Sequence, residues 1–198
     1  MTITIVIIVI TCIVSLLAFN NHNAIDNLSM WPMMIDSRKQ YYRLLTCGFV
    51  HADYLHLIFN MFTLYFFGRA VERGFSPGFF LALYLSGIVM SSLPSYFKHR
   101  KTYGYRSIGA SGGVSAVLFA AILLDPWVDI GLYGVIPIPG IVYAGLYIVF
   151  CIWAGRRSAD NINHDAHLWG SVYGWAFALV VQPAVFKDFF VLLMHPHF

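Results

Sequence analysis

Charge is scarce in this sequence. Asp, Glu, Lys and Arg make up 11% of its 198 residues, whereas 59% are hydrophobic. Soluble domains carry about a quarter charged residues and close to half apolar ones. A water-facing fold could not hide this much apolar surface, so lipid must take up the rest. A long basic run is also missing, and the net charge is only +3, which leaves a nucleic-acid surface unsupported. Cysteine is limited to Cys12, Cys47 and Cys151. The odd count argues against a disulfide framework and the spacing suggests no metal knuckle. All three lie in or beside apolar runs and are expected to be small buried hydrophobes. No Lys or Arg precedes the apolar stretch Thr2 to Phe19, and no clear small-residue cleavage site follows it. That stretch is expected to be a retained first helix and not a secretory signal. Internal repeats and paired broken helices are absent from the pattern, against a transporter.

What is present is a series of apolar segments. The length accommodates six or seven spans of roughly 20 residues with short connections, leaving no room for a separate soluble domain of ordinary size. The expected fold is an all-α, polytopic membrane protein of six helices, one domain over residues 1–198. The helices are placed at about 2–19, 54–71, 79–97, 111–124, 141–154 and 166–181. The connection from Asn20 to Asp53 is long enough to suggest a structured role. Lys98, Arg100 and Lys101 suggest a loop touching lipid headgroups. The fourth helix ends at Asp125-Pro126 and is too short for the whole hydrocarbon layer, so its start is expected within the membrane's thickness. Trp127 to Gly140, broken by Gly131, Gly134, Pro137, Pro139 and Gly140, is expected at the interface. Arg156, Arg157, Asp160, Asn161 and Asn163 are expected in a polar loop, and the tail from Phe186 is short and aromatic.

Strongly polar side chains inside spans are costly, and they usually face a bundle interior or a wet cavity. Ser111 lies in Gly109-Ala110-Ser111-Gly112-Gly113, where a helix begins. Gly109 and Gly113 form a small-xxx-small pair suited to close helix approach. The first amides of a helix lack internal acceptors and could hold a negative oxygen beside Ser111. A serine nucleophile also needs a base. His167 opens the sixth helix, with Gly170 and Gly174 forming a small-residue face that could bring it toward Ser111. His56 and Asn60 share a face of the second helix, and either could donate to an oxyanion. The bland alternative is a polar stripe bridging helices.

Together these residues resemble the rhomboid family of intramembrane serine proteases, in its bacterial six-helix form. Gly109-Ala110-Ser111-Gly112 resembles the nucleophile motif, and Ala166-His167 with Gly170 and Gly174 resembles the last-helix motif. His51, His56 and Asn60 are similar to the second-helix pattern, and Glu72-Arg73 to the pair closing that helix. Tyr42-Arg43 resembles the Trp-Arg pair of the first loop. The resemblance implies a Ser111–His167 dyad that hydrolyses peptide bonds in or near transmembrane segments of other membrane proteins. Asn60, His56 and the Ser111 amide would hold the oxyanion, with Gly109, Gly112, His51, Gly170 and Gly174 in support. No cofactor, metal or third carboxylate is implied; Asp165 is expected to be a helix-start residue. Two positions depart from the pattern. Ser115 stands where many rhomboids have an aromatic ring that packs on the histidine, and Cys47 stands where some have another histidine.

The same resemblance places the protein in a bacterial inner membrane with the Ser111 end of its helix toward the outside. The positive-inside rule favours the opposite orientation, because nine of the 12 Lys and Arg residues would then lie outside. Two other functions compete with the protease. One is a catalytically silent relative that binds membrane proteins, which loss of the serine or histidine would mark. The other is a metal or haem protein using His51, His56, His164 and His167, which leaves the glycine-rich run around Ser111 unexplained.

Overall fold

The computed structural model describes residues 2–132, 136–157 and 162–196. Gly134, Asp160 and Asn161, which the sequence placed in a broken segment and a polar loop, lie outside the described residues. The chain is mostly helical. Helix α1 (Ile3–Phe19) is capped by Thr2 and held by Glu72. The Glu72 carboxylate accepts from the Ile3 and Thr4 amides at 2.8 and 3.0 Å and from Thr4 Oγ1 at 2.6 Å. A carboxylate suits a helix start, where orphan amides and the helix dipole both favour negative charge.

The long first connection is ordered by three short helices, α2 (His22–Leu28), α3 (Pro32–Arg38) and α4 (Arg43–Thr46). Arg43 is buried beneath them. It donates to the carbonyls of Asp26 and Ser29 at 2.5 and 3.0 Å and to Gln40 Oε1 at 2.7 Å. The second predicted helix runs longer than expected, as α5 (Tyr54–Thr63), a wide-turn segment Leu64–Gly68 and α6 (Arg69–Gly74).

Helix α7 (Pro77–Lys98) lies beside α8 (Ser111–Leu124), whose residues Gly112 to Leu123 are all buried. A helix apolar on every side belongs at the centre of a bundle. The chief partners of α8 are α7 and α10 (His164–Val181). α9 (Gly140–Arg157) flanks α10 and takes in Arg156 and Arg157 as its last turn, one turn longer than the loop expected there allows.

One segment differs in kind from the all-α expectation, and one helix is added to it. The broken stretch after α8 forms a hairpin, β1 (Asp129–Leu132) antiparallel to β2 (Ile136–Pro139), with Ile130 opposite Ile138. Both strands are edges, so Pro137 and Pro139 are tolerated. The aromatic tail, to which no element was assigned, folds as α11 (Ala184–Met194), bent by 115° from α10. Its Val185 and Phe189 pack on Leu123 of α8.

Among the described residues, α7 alone is long and apolar enough to cross a membrane as a single helix; α1 and α8 are shorter apolar helices. Large apolar side chains are nonetheless exposed around the bundle, including Leu17, Phe62, Leu146, Val149 and Val180. So much apolar surface is what a lipid-facing exterior requires. The basic loop after α7 does not offer all its charges to headgroups. Lys98 pairs with Asp165 at 2.6 Å, Arg100 with Asp36 at 3.0 Å, and Arg106 with Asp26.

Candidate active site

Ser111 is the first residue of α8 and His167 sits in the first turn of α10. Serine Oγ and histidine Nε2 lie 2.7 Å apart, a hydrogen-bonding distance. The approach depends on missing side chains. A Cβ on Gly170 would lie 2.3 Å from the Gly112 carbonyl oxygen, and one on Gly174 would lie 2.1 Å from that of Ala116. Gly112 likewise admits the Ser91 hydroxyl, which a Cβ would meet at 2.0 Å. The backbones of α8 and α10 are therefore in van der Waals contact along the face that carries His167.

Gly109 plays a different part from the helix-packing role expected of it. It precedes α8, has φ of +118° and lies under the His56 ring, whose Cε1 would be 2.5 Å from a Cβ. Any side chain there would meet both backbone strain and the imidazole. Gly113 does pack against α7, close to Ile88 and the Tyr84 carbonyl.

His56 Nδ1 accepts from the Ala52 amide at 3.5 Å, which favours the tautomer with hydrogen on Nε2. Asn60, one turn on, donates to the His56 carbonyl at 2.9 Å and lines a cavity of about 130 Å³ together with Ser111, Ser115, Tyr143 and Tyr147. A larger hollow of about 370 Å³ lies on the outer face of α9, between Trp153 and Arg157, and contains none of these residues.

His51 is fully buried behind the site. The Ser15 hydroxyl donates to the Phe49 carbonyl at 2.9 Å, so its oxygen accepts from His51 Nδ1, also at 2.9 Å. That leaves Nε2 to accept from the Ala110 amide at 3.3 Å. His51 thus ties the residue before Ser111 to α1. Burial, with the neighbouring His56 adding to it, pushes the His51 imidazole down to about 3.

The start of α10 is fixed by Asn163, its N-cap, which has a structural role beyond that of a polar loop residue. Its Oδ1 accepts from the Ala166 amide at 3.1 Å and from Ser95 Oγ at 2.9 Å, and its Nδ2 donates to Ser107 Oγ at 3.0 Å. Asn163 therefore secures the turn carrying His167 to α7 and to the strand-like Ser107. Asp165 faces Lys98 and is no part of this network. His164, a candidate of the metal or haem reading, opens α10 and is buried, with its ring 6.0 Å from that of His167.

A model of the rhomboid domain matches residues 38–184. The chain belongs to the rhomboid family. It is 32% identical over 143 residues to the mitochondrial RHOMBOID-like protein 12 of Arabidopsis thaliana, covering 65% of this chain and 43% of that protein. It is 29% identical over 150 residues to the mitochondrial Rhomboid protein 1 of Saccharomyces cerevisiae, covering 71% and 42%. Rhomboid protease GluP of Bacillus subtilis is 37% identical over 81 residues, 41% of this chain and 15% of the relative. The chain thus spans less than half the length of these relatives.

Against the rhomboid pattern, the departure at Ser115 has a structural counterpart. Tyr147 of α9 supplies a ring that lies near-parallel to His167, 6.3 Å between centroids and inclined by 20°. Its hydroxyl lies 3.1 Å from Ser115 Oγ. An aromatic neighbour for the histidine is present, but it comes from another helix, and Ser115 anchors it. The only sequence signal was the small residue at 115, which leaves room for a ring without saying whose. At the second departure, Cys47 is buried, with its carbonyl accepting from the Gly109 amide at 2.9 Å, so the backbone there supports the turn before Ser111.

Proposed function

We propose that this rhomboid family member is an intramembrane serine endopeptidase that cleaves other membrane proteins in or near their transmembrane segments. The observation that carries the reading is the 2.7 Å approach of Ser111 Oγ to His167 Nε2 at the starts of two closely packed helices. In the acting tautomer His167 Nε2 accepts the serine proton as Ser111 Oγ attacks the substrate carbonyl. The resulting oxyanion meets the Ser111 amide, the second N–H of Asn60 and the His56 Nε2–H, donors placed before charge develops. His167 then returns the proton to the leaving amine, and water, activated by the same imidazole, hydrolyses the acyl-enzyme. Tyr147 is a positioning residue for His167, and His51 positions the start of α8 through Ala110.

The membrane architecture in this reading is six crossings, by α1, α5–α6, α7, α8, α9 and α10, with lipid as the surrounding partner. At roughly 1.5 Å per residue α8 reaches only about 21 Å of a hydrocarbon core near 30 Å. Its Ser111 end would then lie below the surface, where water must enter through the cavity beside Asn60. We assign that end to the extracytoplasmic side. Relatives named mitochondrial stand beside one from Bacillus subtilis, so the similarities support a membrane protein without favouring a bacterial inner membrane.

The deciding test incubates purified chain with a generic single-pass membrane substrate. Ser111→Ala and His167→Ala should each abolish cleavage while the detergent-solubilised protein stays monodisperse, and the double variant should be no worse than either. Cleavage by Ser111→Ala would exclude this mechanism. A folded wild type that binds the substrate yet never cuts it would instead support the silent, membrane-protein-binding reading.

A further inference from the structure

On the α9 side of His167 lies a cluster that the proposed reaction does not use. Cys151 and His164 are 2% and 4% exposed. Together with His167 each offers one ligand atom, and the three atoms lie within 4.8 Å of one another. Their placement follows from two helices. His164 and His167 are three apart on the first turn of α10, so their rings share a face, and they meet edge to face at 83°. Cys151 lies one turn beyond Tyr147 on α9, so α9 presents first a ring and then a thiol to the same turn of α10.

One thiolate and two imidazoles are a donor set suited to zinc, with Zn–S of about 2.3 Å and Zn–N of about 2.0–2.1 Å. Tetrahedral bonds of that length set donors about 3.3–3.6 Å apart. The three side chains therefore need to close by about an ångström, within reach of small rotamer changes. Oxygen-preferring cations such as magnesium and calcium are disfavoured by the thiolate.

We propose that Cys151, His164 and His167 form an inhibitory site for zinc, which acts by taking the imidazole beside Ser111 out of service. The inhibitory consequence rests on the protease reading above; the binding itself does not. On binding, one Zn–S and two Zn–N bonds form, the Cys151 S–H bond breaks with its proton released to solvent, and a water completes the tetrahedron. Zinc on His167 Nε2 displaces Ser111. Zinc on Nδ1 instead withdraws basicity from Nε2 and holds the ring. In either case Ser111 keeps its proton.

The test uses the full chain in detergent with two readouts. Titration with Co²⁺ should give a near-ultraviolet thiolate-to-metal charge-transfer band in wild type and equally in Ser111→Ala. The band should be lost in Cys151→Ser and weakened in His164→Asn. In parallel, Zn²⁺ should stop substrate cleavage by wild type and a chelator should restore it. Cys151→Ser and His164→Asn should cleave without added metal yet need at least about 10–100-fold more Zn²⁺ for the same inhibition, since even outer-shell partners of a metal are worth that much. No band in wild type, a band persisting in Cys151→Ser, or wild-type zinc sensitivity in His164→Asn would overturn the site. A Cys151-dependent band in a chain that never cleaves substrate would sink the protease reading and leave the metal site standing.

Discussion

If Tyr147 steadies His167 from α9 in place of a ring on α8, the two positions should be exchangeable only as a pair. Ser115 is 4% exposed and its Oγ already contacts the Tyr147 hydroxyl at 3.1 Å. Ser115→Tyr alone would force a second ring into occupied space, and overpacking of this kind costs about 1–3 kcal/mol. Tyr147→Ala alone removes the ring and leaves a void beside His167; large aromatic truncations cost about 3–5 kcal/mol in a closed core. Tyr147 is only half-buried, so the lower end applies here. Its turnover should fall by about 10²-fold, the scale of an ångström's misplacement of a catalytic group, with KM little changed. The double variant Ser115→Tyr, Tyr147→Ala returns the ring to α8 and vacates the space it needs. It should be more stable than the sum of the single effects by about 2 kcal/mol, within the range of coupled neighbours, and should recover at least part of the turnover. Thermal unfolding in detergent together with initial cleavage rates reads both quantities. Strict additivity, or wild-type turnover in Tyr147→Ala, would refute the positioning role.

Further expectations concern the surroundings of the pair. His51 stays neutral when folded because its pKa is pushed down to about 3, against about 6.5 when unfolded. The unfolded chain therefore binds the extra proton between those values, and stability is full above about pH 6.5 and declines as pH falls toward 3. From 6.5 to 5 the loss should be about 2 kcal/mol, visible as a falling unfolding midpoint and flattened in His51→Gln. Asn60→Ala should lower kcat by about 10- to 1000-fold and spare KM, as for a donor used in the transition state; a pure KM effect would remove Asn60 from the oxyanion site. Glu72→Ala should destabilise by about 3 kcal/mol through its charge-assisted bonds to the start of α1, leaving cleavage per folded molecule unchanged. A single cysteine at Lys101, in a background without Cys12, Cys47 and Cys151, should react with an impermeant thiol reagent in intact cells; labelling only after permeabilisation would reverse the orientation.

The pairing of Ser111 with His167 was legible because each residue sits in a local pattern of glycines at a helix start. Such patterns survive in one dimension: the spacing of Gly170 and Gly174 already defines a face, and the length of α8 follows from Asp125-Pro126. The contributions of Tyr147, Asn163 and Cys151 were not legible. Each acts across a gap of more than ten residues to a partner on another element, where no periodicity links the two. Tyr147 and Cys151 read as ordinary members of an apolar span until α9 was set beside α10. The pairing of Asp129–Leu132 with Ile136–Pro139 was not legible, because glycine and proline mark a break in the chain and a strand edge alike. Helix α11 had a usable signal, Val185 and Phe189 one turn apart after Pro183, but it was obscured by its aromatic neighbours.

The conflict between motif order and basic-residue count looks different once the side chains have positions. Arg43 is 3% exposed, and its guanidinium is consumed by carbonyls that hold α2 and α3 to α4. Lys98, Arg100 and Arg106 each face a carboxylate from another segment, and the Arg100 guanidinium in turn holds the Asp36 carboxyl below its usual range. Arg106 also lies 4.0 Å from the Trp31 ring centroid. Four of the nine basic residues that the expected topology groups with Ser111 thus have work in folding the loops around the site. The positive-inside rule describes a bias acting on flanking segments during insertion, and no Lys or Arg follows α1 before Arg38 to express it there. Exposed ion pairs add little stability individually, so their value here lies in geometry. Asp26, Asp36 and Asp165 fasten the connection after α7 to the first loop and to α10, the segments between which Ser111 and His167 emerge. Arg43, Lys98, Arg100 and Arg106 thus help close the frame around Ser111 and His167, a structural use of positive charge that is separate from any signal for orientation.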